Sequence, residues 1–167
     1  MANLSNDQLI SIANEFGTPV YIYDTNRITE QYQKLTSAFR NCNSKIFYAC
    51  KSLTNINILQ HLRSLGSCLD CVSINEVKLG LVAGFNPQQI LFTPNCVDFN
   101  EILEAKELGV NINIDNISIL EQFGTAFGNS YPVCIRFNPH IMAGGNFKIS
   151  TGHIDSKFGI SIHQLRH

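Results

Sequence analysis

The sequence predicts an α/β fold of repeated strand–turn–helix units, an incomplete (β/α)8 barrel with about five of its strands present. Three observations carry this expectation. From Ser44 onward, a short apolar run, a turn and an amphipathic stretch recur in that order. Repeated units of this kind imply parallel strands, right-handed crossovers and helices outside. Gly66, Gly84, Gly109 and Gly128 each stand where a helix should end, the place where a left-handed residue closes the last turn. The chain has 167 residues, and an eight-stranded barrel needs about 250. The pattern is therefore an open five-stranded sheet or a barrel interrupted in mid-construction. A new segment, Ile160–Arg166, begins just before His167 with no closing element after it, which favours the interrupted barrel.

Taken in order, Ser5 is a plausible cap for a helix reaching Phe16, with Leu4, Leu9, Ile12, Ala13 and Phe16 on one side. Gly17-Thr18-Pro19 breaks it, and Val20–Tyr23 reads as a strand. Asp24 or Thr25 then caps a helix through about Phe39, with Ile28, Tyr32, Leu35 and Phe39 as its inner stripe. Residues 1–23 form an N-terminal helix and first strand, and 24–167 the barrel portion. In the repeat, Ile46–Lys51 leads to the helix Ile56–Leu65, and Ser67–Ser73 to Asn75–Ala83. Ile90–Thr93 leads to Asp98–Glu107, Val110–Asp115 to Ile117–Phe123, and Val133–Phe137 follows. The irregular stretch Asn138–Ser156 is about nineteen residues, longer than a structureless connection usually is. Long loops at barrel strand ends usually carry function.

Composition removes several classes of function. A net charge of −1 provides no basic field for nucleic acid and no polybasic membrane patch. The apolar runs are too short to span a bilayer, and residues 1–7 lack the charged and apolar regions of a secretion signal. The six cysteines are scattered, several within apolar runs, which suits reduced thiols in a cytoplasmic protein better than a disulfide framework.

The chemistry centres on Lys51. Ile46 to Cys50 is an apolar run that stops at this lysine, and a helix follows. A barrel keeps its catalytic groups at the C-terminal ends of its strands. A desolvated lysine there serves as a neutral amine that attacks a carbonyl. By position alone, a lysine that ends a strand and points to water is the more ordinary reading.

Tyr48-Ala49-Cys50-Lys51 resembles the Tyr-Ala-x-Lys motif of the fold-type III pyridoxal-phosphate enzymes, the alanine racemase barrel and the amino-acid decarboxylases built on it. Gly17–Asp24 resembles the decarboxylases' first strand, and Gly66–Glu76 their second barrel strand and following turn. Arg136–Pro139 with Ser156–Ile160 resembles the region of their fifth strand. The four segments stand in the family's order and cover roughly Gly17 to Ile160. One departure is Gly145-Asn146-Phe147-Lys148-Ile149, where many members have Thr-His before Lys-Ile.

The resemblance implies pyridoxal 5'-phosphate as cofactor and a small amino acid as substrate. The most similar branch implies decarboxylation of meso-2,6-diaminopimelate to L-lysine. Lys51 would be the Schiff-base lysine, with Asp70 beside it as a catalytic carboxylate. Arg136 and Glu76 would be cofactor-binding, and Lys157 would lie at the site's rim at a dimer interface. The resemblance also implies a homodimer at full length and assigns Val20–Tyr23 to a C-terminal β-domain. The alternative for Asp70 is a solvated strand end, and Glu76 reads at least as well as a helix-start carboxylate. Arg136 reads as a partner of Asp115 or Asp70, and Lys157 as an exposed lysine.

No metal site is expected. His140 and His153 lack ligand-like spacing and a carboxylate partner, and the cysteines of Cys68-x-x-Cys71 point to opposite faces of a strand. Gly144-Gly145 is too short for a phosphate loop. The resemblance places that loop and the partner of the ring nitrogen on later strands. Another fold-type III enzyme, acting on ornithine, arginine, carboxynorspermidine or alanine, is the alternative within the class. A non-catalytic α/β binding module is the alternative outside it.

Overall fold

The computed structural model describes residues 4–142 and 151–166. Helix α1 (Asn6–Phe16) starts in a capping box. The Ser5 hydroxyl accepts from the Gln8 amide, and Gln8 Oε1 accepts from the Ser5 amide. Helix α2 (Thr25–Ala38) is capped by Asp24, whose Oδ1 accepts from the Asn26 and Arg27 amides. The strand expected at Val20–Tyr23 does not form. A strand exists only by pairing, and among the described residues no strand runs beside it; Tyr21 stays 88% exposed.

The repeat follows in five units. Strands β1 (Phe47–Ala49), β2 (Cys68–Cys71), β3 (Ile90–Phe92), β4 (Asn111–Ile114) and β5 (Cys134–Ile135) form one parallel sheet in that order. Helices α3 (Ile56–Ser64), α4 (Ile74–Val82), α5 (Phe99–Glu107) and α6 (Ile117–Phe127) connect them. A doubly wound sheet reverses direction at a switch point. Strands laid down in chain order, each beside the last, are instead those of a barrel wall. The strands are shorter than their apolar runs because only the paired residues make the ladder. Each connecting helix is capped by the side chain just before it: Asn55, Ser73, Asp98 and Asn116 each accept an amide of the first turn. Such caps contribute about 1 kcal/mol each.

The core lies between the sheet and these helices. Leu59, Leu69, Val77, Ile90, Phe92, Ala105, Val110 and Ile112 are wholly buried there. Helix α6 runs four residues beyond its expected end at Phe123, to Phe127. The rings of Phe123 and Phe127 pack 4.8 Å apart, with Tyr131 against Phe123. That tertiary contact extends the helix until Gly128, at φ 55°, closes it.

A second, two-stranded parallel sheet pairs β6 (Phe137–Asn138) with β7 (Ile160–Ser161). Arg136 joins the two sheets through its backbone: its amide donates to Ile114 O and its carbonyl accepts from the Ile160 amide, both at 2.8 Å. The segment expected to begin at Ile160 is thus a further strand followed by the 3-10 turn Ile162–Arg166. Gly159 makes this approach possible. It has φ 81°, and a Cβ there would lie 2.8 Å from Phe137 C and 2.9 Å from Asn138 N. Gly159→Ala is expected to separate β7 from β6 and cost at least about 1 kcal/mol from the positive φ alone. Urea unfolding checks this.

Candidate active site

The strand ends create one polar cavity of about 630 Å³, lined by Lys51, Asp70, Thr93, Asn95, Asn113, Arg136, Lys157 and Phe158 among others. That volume is in the range of small-molecule sites. Lys51 lies in a 3-10 turn, Cys50–Ser52, that follows β1 rather than on the strand itself. Its side chain is exposed, not dry as the apolar run suggested. The run's burial belongs to Cys50, which is fully enclosed while its neighbour leaves the sheet. Tyr48 braces the turn, its hydroxyl donating to Leu53 O at 3.3 Å. Burial, with Cys50 and Tyr23 nearby, raises the pKa of that phenol, so it stays protonated as a donor.

Asp70 stands on β2, in register with Ala49 of β1. It does not bond Lys51. Its Oδ1 accepts from the Thr93 hydroxyl at 2.6 Å, which fixes the carboxylate on the same wall. A hydrogen bond to a charged group contributes about 1.5–3 kcal/mol. Thr93→Val is expected to lose that amount in urea unfolding and to free the carboxylate.

Arg136 is half-buried where the two sheets meet. Neither Asp70 nor Asp115 pairs with it, although either was a candidate partner. Among the described residues, the ion pairs are Arg27–Glu30 and Lys78–Glu104. Asp115 is taken instead by Asn95, whose Nδ2 donates to Oδ2 at 2.8 Å. The Arg136 guanidinium lies over the Phe158 ring, 4.6 Å from its centre, and Lys157 Nζ approaches the same ring at 5.3 Å. Two cations thus face the cavity across one aromatic ring.

Glu76 does not line the cavity. It sits in the first turn of α4, where its Oε2 accepts from the Val72 amide at 2.8 Å and holds the β2–α4 turn. Of the expected site residues, the fold therefore brings Lys51, Asp70, Arg136 and Lys157 together and leaves Glu76 outside. Thr93, Asn95 and Asn113 were not anticipated. The signal was available: each is a polar residue at or just beyond an apolar strand, with its chain turning toward the same end as Asp70. Gly144, Gly145 and Asn146–Ile149 lie outside the described residues.

A family model described as "Pyridoxal-dependent decarboxylase, pyridoxal binding domain" matches residues 25–167. The chain belongs to this family. Among curated pyridoxal-dependent decarboxylases, the diaminopimelate decarboxylase of Methanothermobacter thermautotrophicus is 39% identical over 153 residues, which are 90% of this chain and 36% of that protein. That of Campylobacter jejuni is 37% identical over 159 residues, 93% of this chain and 40% of that protein. The crystal structure of the Helicobacter pylori diaminopimelate decarboxylase complexed with L-lysine superposes with a TM-score of 0.84 at 32% identity, covering 94% of this chain and 41% of that one. The chain thus spans about two fifths of the length of the relatives it matches.

Pyridoxal phosphate is the cofactor of this family, and the cavity's donor set fits it. An amine suits its aldehyde carbon, and a guanidinium suits an anionic oxygen. Asn113 Oδ1 is buried in the wall with no hydrogen-bond partner among the described residues. A buried orphan of that kind is satisfied when a ligand donor enters. None of the described helices is long and apolar enough to cross a membrane.

Proposed function

We propose that this chain is the cofactor-binding portion of a diaminopimelate decarboxylase, which releases carbon dioxide from meso-2,6-diaminopimelate to leave L-lysine. The observation that supports it is the convergence of Lys51, Asp70 and Arg136 on one cavity at the C-terminal ends of parallel strands. Residues 24–167 form the cofactor-binding unit and 1–23 lie outside it. Since relatives extend well beyond the matched region, activity belongs to the full-length protein, a cytoplasmic homodimer with Lys157 at the rim of a shared site.

Bound pyridoxal phosphate supplies an electron sink for the carbanion that departing carbon dioxide leaves. The residues of this chain do the rest. Lys51 would hold the aldehyde carbon and carry the proton that its amine gains or gives. Asp70, fixed by Thr93, presents its carboxylate on the wall of the same cavity as that amine. Among the described residues Arg136 has no carboxylate partner to compete with, and it would bind an anionic oxygen of cofactor or substrate.

The deciding experiment compares carbon dioxide release from meso-diaminopimelate, ornithine and arginine by the full-length protein. Diaminopimelate is expected to react fastest; faster release from ornithine or arginine overturns the substrate assignment. The 167-residue chain alone is expected to hold pyridoxal phosphate poorly and give no turnover, and clear turnover by it would refute that expectation.

A further inference from the structure

Behind the cavity, on the helix side of the sheet, Cys50, Cys71 and Glu76 converge. The β1–β2 pairing ends at Ala49 and Asp70, and the 3-10 turn that begins at Cys50 sets its side chain near that of Cys71. Their sulfurs and a Glu76 carboxylate oxygen all lie within 4.8 Å of one another. Both cysteines are wholly enclosed, and both are free thiols. We propose that these three residues form a binding site for a thiophilic divalent cation of the zinc class, distinct from the cofactor cavity.

Two sulfurs and one carboxylate oxygen are a donor set zinc accepts, with a water as the fourth tetrahedral ligand, and bonds of about 2.0–2.3 Å would draw the three side chains inward from their present spacing. The carboxylate is already oriented, because Glu76 Oε2 is bonded to the Val72 amide. That contact is the kind of supporting bond that fixes a metal ligand. The two thiols and the carboxylate face one another within the enclosed cluster. Binding is M²⁺ plus two thiols and one carboxylate, giving the complex and two released protons, so uptake strengthens as pH rises. The complex carries one net negative charge. The N-terminus of α4, whose first turn holds Glu76, faces it with partial positive charge. Cys50 precedes Lys51 and Cys71 follows Asp70, so a bound ion would tie the backbones of two cavity residues together from behind.

The test uses Co²⁺ and then Zn²⁺ on the chain with its exposed cysteines, at 42, 96 and 134, replaced by serine to remove surface binding. One equivalent of Co²⁺ should bind with thiolate-to-cobalt charge-transfer absorption, and Zn²⁺ should displace it. Cys71→Ser should abolish the band. Glu76→Gln keeps an acceptor for the Val72 amide, and it should weaken binding at least roughly tenfold, the scale on which even a supporting partner acts. Far-UV circular dichroism checks folding, and if Cys71→Ser unfolds, Glu76→Gln decides. Absence of the band, or a band and affinity unchanged in the folded variants, overturns the proposal. The readout needs no cofactor, so it stands or falls apart from the decarboxylase reading.

Discussion

Replacing Lys51 with alanine should abolish borohydride-fixed attachment of pyridoxal phosphate at this site and lower decarboxylation by roughly 10³-fold or more, the scale on which loss of a catalytic nucleophile acts. The effect is large because the cavity holds few alternatives. Among the described residues its lining contains one other lysine, Lys157, exposed beside Phe158. Lys51 is carried on a turn braced by Tyr48 and Leu53, across the wall from the Thr93–Asp70 pair. An amine placed at random on the rim has neither support. Reduction followed by peptide mapping of the full-length protein separates the two lysines. A label that remains in full on Lys157 after Lys51→Ala, with turnover undiminished, would reassign the site.

Phe92→Ala should destabilise the chain by about 3–5 kcal/mol, the usual cost of emptying a buried aromatic position. Phe92 is wholly enclosed in the core cluster, on the central strand of the sheet. A domain has roughly 5–15 kcal/mol to lose, so this one substitution removes a large share. The loss should also reach the site, because Thr93 follows Phe92 and its hydroxyl holds Asp70. Urea unfolding at pH 7 measures the effect. A shift below about 1 kcal/mol would mean that the helices do not press on β3 as the burial indicates.

The repeat was legible because its signals are local. The strands read as apolar runs and the helices as amphipathic stretches between them. The glycines at 66, 84, 109 and 128 all take positive φ, as a helix end requires. The caps at Ser5, Asp24 and Asp98 were likewise foreseeable from side chain and spacing. Val20–Tyr23 shows the limit. Its composition suits a strand, but pairing is a property of two segments, and a β-rich tetrapeptide says nothing about its partner.

The site divides along the same line. Lys51, Asp70 and Arg136 could be picked out because each ends or follows an apolar run. Thr93 and Asn95 carried the same positional signal with less conspicuous chemistry. Whether Glu76 faces the cavity or holds a turn could not be read from spacing. The answer depends on the direction of α4 relative to β2, which brings Glu76 Oε2 onto the Val72 amide. Nor does sequence bring Cys50 to Cys71, twenty-one positions apart; the turn that follows β1 beside β2 does.

By itself, then, the order of residues determined the alternation of strands and helices, their caps and stops, and the lysine proposed to hold the cofactor. The tertiary structure alone decided which side chains share a wall, that Lys51 leaves the sheet on an exposed turn, and that two distant thiols meet behind it. The physical reason is range: helix caps, turn conformations and periodic burial are settled among neighbours within a few residues. Contacts across strands depend on register and twist, which only the packed sheet supplies.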